Sequence, residues 1–190
     1  MTLARSNTDW ITGIAGEGVV TIGDARLKAP TSIVDIDQDT VSLLDSMVAR
    51  LRALNGAGLA APQIGASVRV AVVEVRRTDV FPDRPEHPLI ELINPTITKR
   101  STDEVSDWEG CFSVPGLLGQ VPRAAHITVE YTTRDGERVT REYSGYVARV
   151  IQHETDHLDA IEFIDRMPDM DSLTTVQNWL INRAARASES

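Results

Sequence analysis

Five adjacent residues, His153-Glu154-Thr155-Asp156-His157, sit in a segment from Tyr146 to Leu158 whose apolar positions recur at helical spacing. Val147, Val150, Ile151 and Leu158 form that apolar side, so the helix is expected to be buried. His153 and His157 stand at i and i+4, on one face, with Glu154 beside them. Buried polar groups need partners. A metal ion supplies them, with two neutral imidazoles as ligands and the carboxylate as general base for a coordinated water. The pattern therefore asks for a central helix with other elements packed around it, and it points to metal-assisted hydrolysis. Read alone, the same five residues also fit a surface helix with scattered charges.

Two further segments carry chemistry. Glu109-Gly110-Cys111-Phe112-Ser113-Val114-Pro115 holds the single cysteine, Cys111. Thiolate binds Fe(II) or Zn(II) well, so Cys111 is the natural third ligand. The plainer reading is a buried structural cysteine. Gly56-Ala57-Gly58-Leu59-Ala60-Ala61-Pro62-Gln63 combines small residues, which let backbone approach closely, with an amide donor at Gln63. That donor suits an oxygen gaining charge in a transition state. The plainer reading here is a helix stop followed by a tight turn.

The remaining pattern bounds the fold. A helix is predicted from Val41 to Leu54, capped by Asp39 and stopped by Gly56 and Gly58. Strands are predicted at Val68 to Val75 and at Leu89 to Ile93, the latter ended by Asn94-Pro95. Pro82, Pro85 and Pro88 mark a surface loop. His126 to Thr133 and Arg138 to Tyr143 form a hairpin about Asp135-Gly136. Leu173 to Arg186 reads as a weaker final helix, packed through Val176 and Leu180, before a disordered tail. With no repeating βαβ pattern, the expected class is α+β: a central metal-binding helix on antiparallel β-sheets, with an N-terminal and a C-terminal helix. A chain of 190 residues suits one domain, with a core from about 19 to 167 and a C-terminal helix and tail over 168–190.

A net charge of −9 disfavours a nucleic-acid surface, and no apolar run is long enough to span a bilayer. Met1 to Asp9 is polar and lacks the apolar region of a secretory signal. One cysteine excludes an intramolecular disulfide, and the expected compartment is the reducing cytoplasm.

Gly56 to Gln63, Glu109 to Ser113 and Gln152 to His157, in this order, resemble the three signature motifs of peptide deformylases, G-x-G-x-A-A-x-Q, E-G-C-x-S and Q-H-E-x-D-H. Ile22-Gly23-Asp24, followed by Leu27 and Pro30, fits a weaker N-terminal signature, and the resemblance spans about residues 19 to 167. It implies a hydrolase that removes the N-formyl group from the formyl-methionine of newly made polypeptides, releasing formate. Cys111, His153 and His157 would bind one divalent metal, usually Fe(II), with Zn(II) as the alternative. Glu154 would be the base and proton carrier. Gln63 and the Phe112 backbone N–H would stabilise the oxyanion. Gly58 and Gly110 would keep the formyl site narrow, and Ala57, Tyr146, Val150 and His153 would border the methionine pocket. The partners implied are formyl-methionyl nascent peptides, lying extended along a strand edge, and transiently the ribosome, without direct nucleic-acid or membrane binding. The chain departs from the family pattern at Ala57, Leu118, Thr155 and Ala160; at 118 many members carry Arg, and at 160 glycine is usual.

Three other readings compete. An H-E-x-x-H peptidase would need a Glu or His beyond His157, where only Glu162 and Glu189 are on offer. A binding protein that has lost catalysis would retain formyl-peptide affinity without turnover. A thiol hydrolase would pair Cys111 with His126 or His87 and need no metal.

Overall fold

The computed structural model describes residues 18–77 and 84–187. The N-terminal residues before 18, most of the Pro-rich loop and the last residues of the tail lie outside them. In chain order the elements are α1 (Gln38–Ala53), β1 (Gly58–Ala60), β2 (Val70–Val75), β3 (His87–Arg100), β4 (Glu104–Cys111), β5 (Val114–Ala124), β6 (His126–Thr132), β7 (Arg138–Ser144), α2 (Gly145–Leu158), α3 (Phe163–Arg166), β8 (Thr174–Thr175) and α4 (Val176–Ala187). Five strands form one antiparallel sheet in the order β1-β2-β3-β6-β7, and three form a second in the order β4-β5-β8. The class is α+β, as expected.

The five-stranded sheet is covered on both faces, and β2 shows why. Its sequence, Val-Ala-Val-Val-Glu-Val, is apolar on both sides of the pleat. Val70 and Val72 pack with Leu44, Met47 and Leu51 of α1. Ala71, Val73 and Val75 pack with Val147, Ile151 and Leu158 of α2. Each such side chain contributes roughly 1.5–3 kcal/mol on burial. Helix α2 is thereby buried continuously from Val147 to Leu158, polar residues included. Thr155 meets burial by donating its hydroxyl to Ile151 O at 2.7 Å.

Several boundaries differ from the sequence reading. The cap of α1 is Asp37, whose carboxylate accepts from Thr40 N at 2.8 Å, rather than Asp39. Asp37 alone has extended backbone and the spacing for that bond. Strand β3 does not stop at Asn94-Pro95. The register with β6 shifts between Ile93 and Thr96, so a bulge carries the proline past the ladder. Asn94, at φ 52°, bonds both backbone groups of Val34 to hold it there. The β4–β5 pair had no strand signature, because β4 is largely exposed and lacks apolar alternation. Helix α4 begins later than predicted, since Thr174 and Thr175 first pair with Leu118 and Leu117 of β5. Val176 is buried as expected, whereas Leu180 is 37% exposed, so it is not the packing anchor.

Candidate active site

Three sequence-distant segments converge on the buried face of α2. Gly58 opens edge strand β1, and the turn at Ala61–Ile64 after it brings in Gln63. Cys111 ends edge strand β4 at the turn into β5. The segment at Val20–Ile22 ties the two together: Val20 N donates to Gln63 O and Ile22 N to Ser113 O, each at 2.7 Å. Leu27, beyond this segment, is buried.

One ligand atom each from Cys111, His153 and His157 lie within 4.8 Å of one another. Cys111 Sγ is 3.2 Å from His157 Nε2, and it accepts from Gln63 Nε2 at 3.3 Å and Ser113 N at 3.4 Å. Gln63 is held by a second bond, from Ala60 N to its Oε1 at 2.8 Å. His153 Nδ1 bonds Glu109 Oε2 at 2.9 Å, which leaves Nε2 of that ring for the cluster.

The two imidazoles sit in different electrostatic settings. Burial works against charge on His153, yet hydrogen bonds to Cys111 and Glu109 prevail and hold its pKa well above the ordinary value. Burial and the neighbouring charge of His153 keep His157 well below it. A soft thiolate with two imidazoles is a donor set for Fe(II) or Zn(II), so the residues fit a divalent metal.

Glu154 is 3% exposed, and its Oε2 has no protein partner. Burial pushes its carboxyl up to about 7. Gly58 on the neighbouring strand leaves room for this carboxylate: a Cβ there would sit 2.7 Å from Glu154 Cδ and the side chain would have to shift. At Gly110 a Cβ would come within 2.6 Å of Leu118 Cδ2.

A buried brace missed by the sequence reading positions this site. Glu109 accepts from Arg123 Nε and Nη2, both at 2.9 Å, from Arg149 Nη1 at 2.7 Å, and from His153. Burial would raise its carboxyl, but these bonds hold it well below the usual carboxylate range. Arg123 also pairs with Asp156, which Arg166 Nη2 reaches at 2.8 Å. Asp156 therefore ties α2 to β5 and α3. Gln152 completes the attachment, accepting from Ala124 N at 3.2 Å and donating to Ala124 O at 3.0 Å. The E-G-C pattern held a signal for Glu109, whereas the arginines had none, since their partners lie on other elements.

A cavity of about 310 Å³ joins all of this. Its lining includes Ala57, Gly58, Gln63, Gly110, Cys111, Phe112, Tyr146, Val150, His153 and Glu154. His157 is buried and outside this lining, and belongs to the cluster with Cys111 and His153. His87 and His126 do not line it: His87 packs edge-on to Tyr143, and His126 lines a separate surface hollow with Lys99 and Glu142. That removes the geometry the thiol-hydrolase reading required.

The chain is similar to known proteins over most of its length. The polypeptide deformylase profile matches residues 17–172. The chain is 40% identical to peptide deformylase 2 of Nostoc sp. over 151 residues, covering 78% of this chain and 84% of that one. It is 44% identical to the peptide deformylase of Roseiflexus castenholzii over 140 residues, 69% of this chain and 75% of the relative. The crystal structure of a Met-Ala-Ser-bound class I type b peptide deformylase from Acinetobacter baumannii superposes with a TM-score of 0.76 at 38% identity, covering 78% of this chain and 96% of that one. With a matching profile over most of its length, close relatives and a shared fold, the chain belongs to the polypeptide deformylase family, hydrolases that remove the N-formyl group from newly made peptides.

Proposed function

We propose that this protein deformylates nascent peptides with Cys111, His153 and His157 holding one divalent metal, Fe(II) in the cell and Zn(II) as the weaker substitute. When bound, the metal supplies Lewis acidity to the formyl oxygen and to water. Glu154 takes the proton from the attacking water and delivers it to the departing amine. Its burial beside the cluster places it to do both. Gln63 and the Phe112 N–H receive the charge that grows on the formyl oxygen. Gly58 and Gly110 keep the entrance narrow, so a formyl carbon bearing only hydrogen enters and bulkier acyl groups do not. Ala57, Tyr146, Val150 and His153 enclose the methionine side chain. Strands β1 and β4 both present free edges at the cavity, which suits an extended peptide read through its backbone. The products are formate and a free N-terminus.

The chain acts as one catalytic domain, in the cytoplasm, on chains emerging from the ribosome. Among the described residues no helix is long and apolar enough to cross a membrane.

The observation that carries this reading is the buried Glu154 carboxylate, whose Oε2 has no protein partner, beside three converging ligand atoms. The test is formate release from formyl-Met-Ala-Ser by anaerobically prepared Fe(II)-loaded protein, alongside Glu154→Ala. Turnover in the wild type and a loss of at least about 100-fold in the variant, with metal content unchanged, is expected. A metal-loaded wild type that releases no formate overturns it.

A further inference from the structure

The cavity continues past the reaction centre to a rim that the mechanism above does not use. Trp108 on β4 and Trp179 on α4 meet edge-to-face, with ring centroids 6.4 Å apart. Arg183, one turn further along α4, lays its guanidinium over the Trp179 ring at 5.3 Å. All three line the cavity that holds Cys111 and Glu154. Across the mouth the Arg84 guanidinium lies 5.7 Å over the Tyr146 ring, and Asp107 brings one carboxylate. The full lining holds Arg84, Arg149 and Arg183 with Asp107, Glu109 and Glu154, and Arg183 is the guanidinium that α4 brings to it.

The spacing relates this rim to the substrate. Trp108 stands three residues before Cys111 on edge strand β4, about 10 Å along an extended chain. A peptide lying along that edge advances by the same step. With its formyl group at the cluster, its third residue comes level with Trp108 and the α4 side chains. Leu118, in the same lining, is apolar, so β5 provides no cation at this point and α4 does. Arginine's planar fork recognises carboxylate, and stacking on an aromatic ring fixes its plane.

We propose that Trp179 and Arg183 of the C-terminal helix form a specificity subsite that selects an acidic side chain at the third residue of the formylated peptide. The proposal rests on the deformylase reading. The experiment is formate release by Fe(II)-loaded full-length protein from formyl-Met-Ala-Glu, formyl-Met-Ala-Ser and formyl-Met-Ala-Lys. The wild type is compared with Arg183→Ala, Arg183→Glu and Ile181→Ala, Ile181 being exposed and outside the cavity lining. The wild type favours Glu over Lys by about fivefold, the scale of a partly exposed ion pair. The difference falls in KM, since Arg183 touches no reacting atom. Arg183→Ala abolishes the preference, Arg183→Glu inverts it, and Ile181→Ala keeps the wild-type order. An unchanged order in Arg183→Glu overturns the subsite. Formyl-Met-Ala, too short to reach the rim, separates the two possible failures. Formate from it, without discrimination among the tripeptides, sinks the subsite alone. No formate from any peptide sinks the deformylase reading and the subsite together.

Discussion

Glu154 shows how one residue's placement becomes measurable. Its carboxyl ionises near 4.5 in an ordinary setting and at about 7 here, chiefly because of burial. Between those values the metal-free fold keeps a proton that the unfolded chain has released. Stability of the metal-free protein therefore falls as pH rises through that window, by roughly 3 kcal/mol in total. In Glu154→Gln this contribution disappears, and urea midpoints between pH 4.5 and 8 record it; parallel curves for both proteins would refute the assignment. Gly58 acts on the same carboxylate by sterics. Gly58→Ala places a methyl against Glu154 Cδ and Cγ, and a displaced base costs on the order of 100-fold in kcat/KM. Steady-state kinetics of a still-folded variant check this, and undiminished kcat/KM would mean that the contact is easily relieved. At this scale the candidate cluster and the buried Glu154 beside it were legible, because i,i+4 geometry and the small-residue run are local. The role of Glu109 was not, since it depends on Arg123 and Arg149, whose side chains arrive from β5 and from another turn of α2.

At the scale of elements, the C-terminus of α2 is the most instructive. Ala160 N bonds His157 O at 3.2 Å and Ile161 N bonds Asp156 O at 2.9 Å, the pairing of a Schellman stop. Ala160 consequently sits at φ 59°, where glycine is at ease and a Cβ is strained. Ala160→Gly relieves about 1–2 kcal/mol of strain and loses about 0.4–1 kcal/mol through unfolded-chain entropy. A net gain of about 0.5–1 kcal/mol, or about 2 °C in Tm, is expected by calorimetry; a lower Tm would show the strain to be small. Helix α2 and the β6–β7 hairpin were legible because their periodicities are strong and their turn is Asp135-Gly136. Strands β4 and β5 were not. An edge strand that faces solvent buries too little to need alternation, and β5 contains Pro115, Gly116, Gly119 and Pro122, which read locally as turns.

At the scale of the molecule, the buried face of α2 joins the two sheets through polar groups rather than through apolar packing alone. Cys111 comes from the three-stranded sheet, and His153 and His157 come from the helix that covers the five-stranded one. A metal held by these three residues would therefore staple the two halves. At free metal 100-fold above Kd, binding adds about 2.7 kcal/mol, so chelation lowers Tm by about 5–10 °C for a chain of this length. The same chelator should leave the Tm of Cys111→Ala nearly unmoved. Equal drops in both proteins would place the stabilising ion elsewhere.

By itself the sequence determined the family and the α+β class, and it singled out Cys111, His153, His157 and Glu154 as the candidate site. Those follow from residue types at fixed short spacings and from apolar periodicity, which backbone geometry converts directly into shared faces. Only the tertiary structure decided which distant charges brace the site and what borders its mouth. The Glu109 brace and the Trp179–Arg183 rim each join side chains from separate elements. Their meeting depends on strand register and helix docking, and packing across the whole chain sets both.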